Sequence, residues 1–124
     1  MMCAMSIRAI RGAVQVESNT AEAISAATKE LLAEILKVNK LEVGSVISVI
    51  LTATPDLTAV FPAAAAREVG FESTPLLCAV EIDVPGALPR VVRAMATVET
   101  SLDAQEISHI YLGGAKALRR DIAQ

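Results

Sequence analysis

One thiol, two acids and two arginines stand in an otherwise almost wholly apolar stretch, Leu76 to Met95, which reads LLCAVEIDVPGALPRVVRAM. Leu76, Leu77, Val80, Ile82 and Val84 precede Pro85-Gly86, and Val91, Val92 and Met95 follow it. That pattern predicts two strands joined by a turn-containing connection. A carboxylate or a guanidinium inside such strands is costly unless it is paired or used. Cys78, Glu81 and Arg93 are therefore the first residues to consider for chemistry. Each has a plainer reading. Glu81 could be a strand acid paired to Arg90, and Cys78 a small buried hydrophobe.

These residues need a scaffold, and the bulk numbers bound it. A chain of 124 residues suits one domain with a real core. It is 53% hydrophobic with a mean hydropathy of +0.50, yet only 2% aromatic, so its core must be built from small aliphatic side chains. That apolar excess predicts burial of surface between subunits. A net charge of -3 and a pI near 5.1 argue against nucleic acid as a partner. Two cysteines make no disulfide framework and no CxxC, which suits a reducing cytoplasm. The opening MMCAMSIRAIRGA carries arginines within its apolar run and is not expected to be a signal peptide. No uncharged apolar run approaches the roughly 20 residues of a membrane span. Nothing clusters at metal-ligand spacing, and no cofactor motif is present. Gly113-Gly114 with Lys116 lacks the spacing of a phosphate loop, and the single His109 cannot build a zinc site or a triad.

In chain order, Ile7–Val16 alternates as a strand, with Arg8 and Ile10 on one face and Arg11 beside Ala9 and Ala13 on the other. Arg11 could be no more than a solvated edge residue. Gly12 predicts a close approach or a bulge. Asn19 reads as an N-cap with Glu22 three positions on, opening a long amphipathic helix with Ile24, Ala27, Leu31, Ile35 and Val38 on its buried stripe. Val46–Ala53 reads as a strand buried on both faces. Pro62 starts a short alanine-rich helix that ends at Gly70, with Arg67 near its C-terminus. Asp103 caps a short turn, and Ile107–Leu112 forms the last strand. Residues 1–6 are read as an N-terminal extension and 113–124 as a glycine-hinged, mobile tail. The predicted architecture is α/β (α+β), a mixed sheet of about five strands covered by one long and one short helix.

Five segments together resemble one family: IRAIRGA at Ile7–Ala13, TATPDLTAVFPAAAAREVG at Thr52–Gly70, CAVEIDV at Cys78–Val84, RVVRAMATVET at Arg90–Thr100 and HIYLGGAKALRRDI at His109–Ile122. Their order and spacing are similar to the monofunctional chorismate mutases of the trimeric α/β type. The resemblance implies a homotrimer forming a pseudo-α/β-barrel, with active sites in the clefts between subunits. It implies the Claisen rearrangement of chorismate to prephenate, on the route to phenylalanine and tyrosine. By motif, Arg93 would face the ether oxygen of the breaking bond, Glu81 and Cys78 the ring hydroxyl, and Arg11 and Tyr111 the side-chain carboxylate. Phe61, Ala63 and Arg67 would come from the neighbouring subunit, and Leu118 and Arg119 would close over the site. Tyr111 has the plainer alternative of being core. Two positions depart from the family pattern, Ala64 for a lysine and Leu77 for a threonine. Cys78 and Glu81 are also three apart, so both can line one pocket only if the strand ends or bulges between them.

The residue types suit that reaction. A unimolecular pericyclic step needs no nucleophile, metal or redox cofactor. A fixed guanidinium favours the charge that gathers on the ether oxygen as its bond lengthens. Two other readings fit a similar trimer. One is an imine or enamine deaminase, which would lack the Cys-x-x-Glu block. The other is a metabolite-binding regulator without turnover.

Overall fold

The computed structural model describes residues 4–119. Five strands form one mixed sheet: β1 (Ser6–Gln15), β2 (Val46–Ala53), β3 (Leu76–Val80), β4 (Val91–Thr100) and β5 (Ile110–Leu112), side by side in the order β3-β2-β4-β1-β5. The central β4 is antiparallel to β1 and β2, and the outer strands β3 and β5 run parallel to β2 and β1. Two helices, the long α1 (Ala21–Val38) and the short α2 (Pro62–Ala66), complete the predicted α+β architecture.

The helix α1 buries Ile24, Leu31, Leu32 and Ile35 against Ile10, Val14, Val49, Leu51 and Val92 of the sheet. The approach is close at Gly12, where a Cβ would stand 2.9 Å from Leu31 Cδ1, 3.0 Å from Ile35 Cδ1 and 3.1 Å from the Ile110 carbonyl. Of the two readings of Gly12, close approach is the one observed, and the β1–β4 register runs unbroken past it.

Several boundaries differ from the sequence reading. The N-cap is Thr20, whose hydroxyl accepts from Ala23 N–H at 3.1 Å. Glu22 then falls at the second helical position, too early for a capping box. Asn19 instead braces the loop after β2, accepting from the backbone of Thr58 and Ala59 at 2.9 and 3.0 Å. The helix begun at Pro62 gives way at Arg67–Phe71 to a wider turn, in which Gly70 takes a φ of 107°. Lys29 of α1 bonds Glu68 of that turn at 2.8 Å and holds its carboxyl below the ordinary range. The last strand is only Ile110–Leu112. Asp103 does cap the turn before it, with Glu106 completing a capping box. Gly113–Leu118 winds into a 3-10 helix with Ala115 fully buried. The reading of 113–124 as a tail reaches beyond Arg119, and that of 1–6 as an extension begins before Ala4; those ends lie outside the described residues.

The largest difference concerns β2. Among the described residues it is not buried on both faces, because α1 lies on one side of the sheet only. The 3-10 helix on the second side packs at Ala13, Val91 and Tyr111, away from β2. On that side Ile7, Ile50, Leu77 and Met95 are between 40% and 62% exposed. Ile47 is exposed as well, at an irregularity in the β2–β4 register.

Candidate active site

Period-two alternation across this register sends Arg11 of β1, Thr52 of β2, Arg93 of β4 and Tyr111 of β5 to the uncovered face. Arg93 stands level with Ala13 on one side and Thr52 on the other. Arg11 stands level with Met95, two residues along. The sheet thus fixes the Cα positions of the two guanidinium residues a short diagonal apart.

Glu81 joins them because β3 ends at Val80. Its backbone N–H still donates to the Ala53 carbonyl at 3.0 Å. Its carboxylate accepts from Arg93 Nε at 3.1 and 3.0 Å, and Oε2 also accepts from Thr52 Oγ1 at 2.6 Å. The Glu81 side chain is 17% exposed and that of Arg93 43%, so the pair is half-sheltered with the arginine outermost. The alternative of a Glu81–Arg90 pair is not what forms. Arg90 donates from Nε to the Val16 carbonyl at 2.9 Å, and its backbone N–H donates to Asp56.

Beside this cluster is a depression of about 300 Å³. Arg11, Thr52, Arg93, Tyr111 and Arg119 supply its polar lining, and Ile50 and Met95 its apolar wall. Tyr111 is 4% exposed and packs on Ala13, Val91 and Ala115, with Leu118 half-buried against the same group. Tyr111 is therefore both core and lining. His109 lies behind Arg11, its Nδ1 accepting the Arg11 backbone N–H at 3.0 Å. Burial first, then the charges of Arg11 and Arg119, hold the His109 pKa below its ordinary value.

Cys78 faces the other way. It is level with Leu51 and packs on the α1 side of the sheet. It lines a larger hollow of about 620 Å³ with Leu57, Phe61 and Val80, in a lining without a charged side chain. The strand end that frees Glu81 does not bring Cys78 and Glu81 into one pocket of one chain. Phe61 is 72% exposed at this second hollow, while Ala63 is buried within α2 and Arg67 is exposed just beyond that helix. Neither Ala63 nor Arg67 lines either hollow.

Two residues of the site were missed in the sequence. Thr52 carried a usable signal, a hydroxyl in an apolar strand next to the TPD turn. His109 carried none, because a lone histidine does not reveal a backbone partner. Arg11, Arg93 and Arg119 line one hollow, with Glu81 bonded to Arg93 beside it, and guanidiniums so placed can bind an anion. The same guanidiniums can stabilise negative charge that develops during a reaction. Among the described residues no three His, Cys, Asp or Glu side chains gather as a metal site would require, and no helix is long and apolar enough to cross a membrane.

Comparison with known proteins agrees with this geometry. Residues 7–122 match the family model described as chorismate mutase type I. The chain is 46% identical over 117 residues to chorismate mutase AroH of Thermus thermophilus, covering 94% of this chain and 96% of that protein. It is 44% identical over 120 residues to chorismate mutase AroH of Bacillus subtilis, covering 96% and 94% respectively. A solved chorismate mutase from Clostridium thermocellum superposes with a TM-score of 0.87 at 51% identity, over 89% of this chain and 98% of that one.

Proposed function

This chain belongs to the chorismate mutase type I family, and from that premise we propose that it rearranges chorismate to prephenate in a cleft shared by neighbouring copies of a homotrimer. The observation that carries the reading is the Arg93–Glu81–Thr52 cluster at the edge of an arginine-lined hollow. Chorismate is a dianion, and Arg11 and Arg119 supply its counter-charge beside the Tyr111 edge. Arg93 takes the ether oxygen. Its bonds to Glu81 are made through Nε, and the terminal amino groups of the fork take no part in them. Those groups donate to the oxygen as its bond to carbon lengthens, an interaction stronger in the transition state than in the ground state. Glu81 answers the ring hydroxyl and the positive charge that develops on the ring. Walls of Ile50 and Met95 hold the substrate in its compact, reactive shape.

The uncovered face supports the trimer, since Ile7, Ile50, Leu77 and Met95 surround the very residues of the site. On assembly, we place the Phe61 hollow of one copy against the arginine face of the next. Cys78 then reaches the ring hydroxyl from across the interface, opposite the neighbour's Glu81, with Ala63 behind Phe61. Arg67 stands at the mouth near the ring carboxylate, and Leu118 with Arg119 closes the other side. The free thiol of Cys78 suits a reducing compartment, and we place the enzyme in the cytoplasm.

The test is direct. Purified protein mixed with chorismate in the presence of a chelator is expected to consume it and to yield prephenate. Binding without turnover would turn the reading into that of a metabolite-binding regulator.

A further inference from the structure

We propose that Thr52 is a positioning residue for the rearrangement: its hydroxyl holds the Glu81 carboxylate against Arg93, and so sets where the arginine fork points. The role rests on the reading of the site given above.

Glu81 is weakly placed by its own backbone. It stands one residue past the end of β3, tied to the sheet by one N–H to the Ala53 carbonyl. Its carboxylate has two side-chain partners, Arg93 and Thr52. Arg93 is long and nearly half exposed, and cannot by itself fix a flexible acid. Thr52 can. It lies within β2, paired to Ala79 of β3 on one side and to Arg93 of β4 on the other. Its Cα is therefore held from both sides, and a β-branched side chain has little torsional freedom left. The 2.6 Å contact from Oγ1 to Oε2 lies in the short range of charge-assisted bonds.

The consequence reaches the reacting atoms through two links. Thr52 locks Oε2, and the locked carboxylate engages Arg93 Nε with both oxygens. A guanidinium is planar, so fixing Nε fixes the plane and direction of the terminal amino groups. Without the hydroxyl the acid could swing away and take the fork with it. Thr52 thus acts on preorganisation, and its contribution belongs in kcat rather than KM.

The experiment compares Thr52→Val, which keeps the shape and removes the donor, with Thr52→Ser, which keeps the donor. Thermal melting and sizing establish that each is folded and assembled as the parent is. Thr52→Val is expected to lose about tenfold or more in kcat with KM changed less, the size of a lost bond to a charged group. Thr52→Ser is expected to stay within about threefold, a difference too small for such a loss. A crystal structure of Thr52→Val should show the Glu81 carboxylate withdrawn from Arg93. The proposal is overturned if Val is as fast as the parent, if Ser is as slow as Val, or if the Glu81–Arg93 contact survives in Val unchanged. Should Val fail to fold, Thr52→Ala takes its place. If the parent itself does not turn over chorismate, the assigned reaction falls, and the crystal structure still decides whether Thr52 holds the pair.

Discussion

Arg90 and Arg93 lie three residues apart and serve different ends. On the proposed assignment Arg93 carries the site, and Arg93→Ala is expected to lower kcat on the order of 10²–10³ or more, as removal of a preorganised donor does. Arg93→Lys should not rescue it, because a point charge on a flexible stem cannot replace a planar fork. Arg90 is structural. Its φ of 53° puts it in the left-handed region, where Asp56 and the Val16 carbonyl hold it. Arg90→Ala should stay within about tenfold in activity, a loss of roughly 1.4 kcal/mol at most. Its cost should appear in thermal melts, with Arg90→Gly recovering part of it by relieving the backbone. His109 sets a pH dependence. Its folded-state pKa is depressed, so the unfolded chain binds the proton more readily and stability rises with pH across the window below about 6.5. Protonation would also remove the acceptor for Arg11 N–H. Melting curves from pH 5 to 7.5 should show a steeper loss on the acid side in the parent than in His109→Asn. Arg93 and Glu81 were legible because charge amid aliphatic residues demands a use. Thr52 offered only its hydroxyl in an apolar strand, a signal easily passed over because threonine is an ordinary strand former and its bond to Glu81 exists only once β2 and β3 are paired.

At the scale of elements, patterning exposed types better than ends. The alternation of Ile7–Val16 correctly separates Arg8 from Arg11, and the stripe from Ile24 to Ile35 gives α1. Ends failed where two residues compete for one role, as Asn19 and Thr20 do for the N-cap. They failed again where three residues suffice to pair, as in β5. Doubly buried β2 was misread for a deeper reason. An apolar residue on the open face of a sheet is indistinguishable in sequence from one that faces the core. The α1–β1 contact yields a sharp expectation at Gly12. A single methyl there would meet two side-chain ends and a carbonyl, so Gly12→Ala should destabilise by about 1–3 kcal/mol, read as a shift in denaturation midpoint. Because Arg11 is the adjacent residue, part of that shift should also appear as a raised KM.

At the scale of the molecule, neither hollow of one chain holds all the residues of the proposed site. Arg67→Glu and Arg93→Ala subunits, each impaired alone, are therefore expected to regain activity after subunit exchange, since mixed trimers can form a cleft with both intact halves. No recovery despite demonstrated exchange would count against a shared site. The outer position of β3 has a cost of its own. Its free edge and the exposed side chains of Leu77, Val80 and Ile82 form a template for strand addition by any unfolded chain. Asp83 and Pro85 follow at once, a charge and a residue without an N–H, where gatekeepers against aggregation are placed. On the proposed assembly, a newly made chain must cross an interval in which the face meant for its neighbours lies open. Those two residues limit what can add at the open edge during that interval.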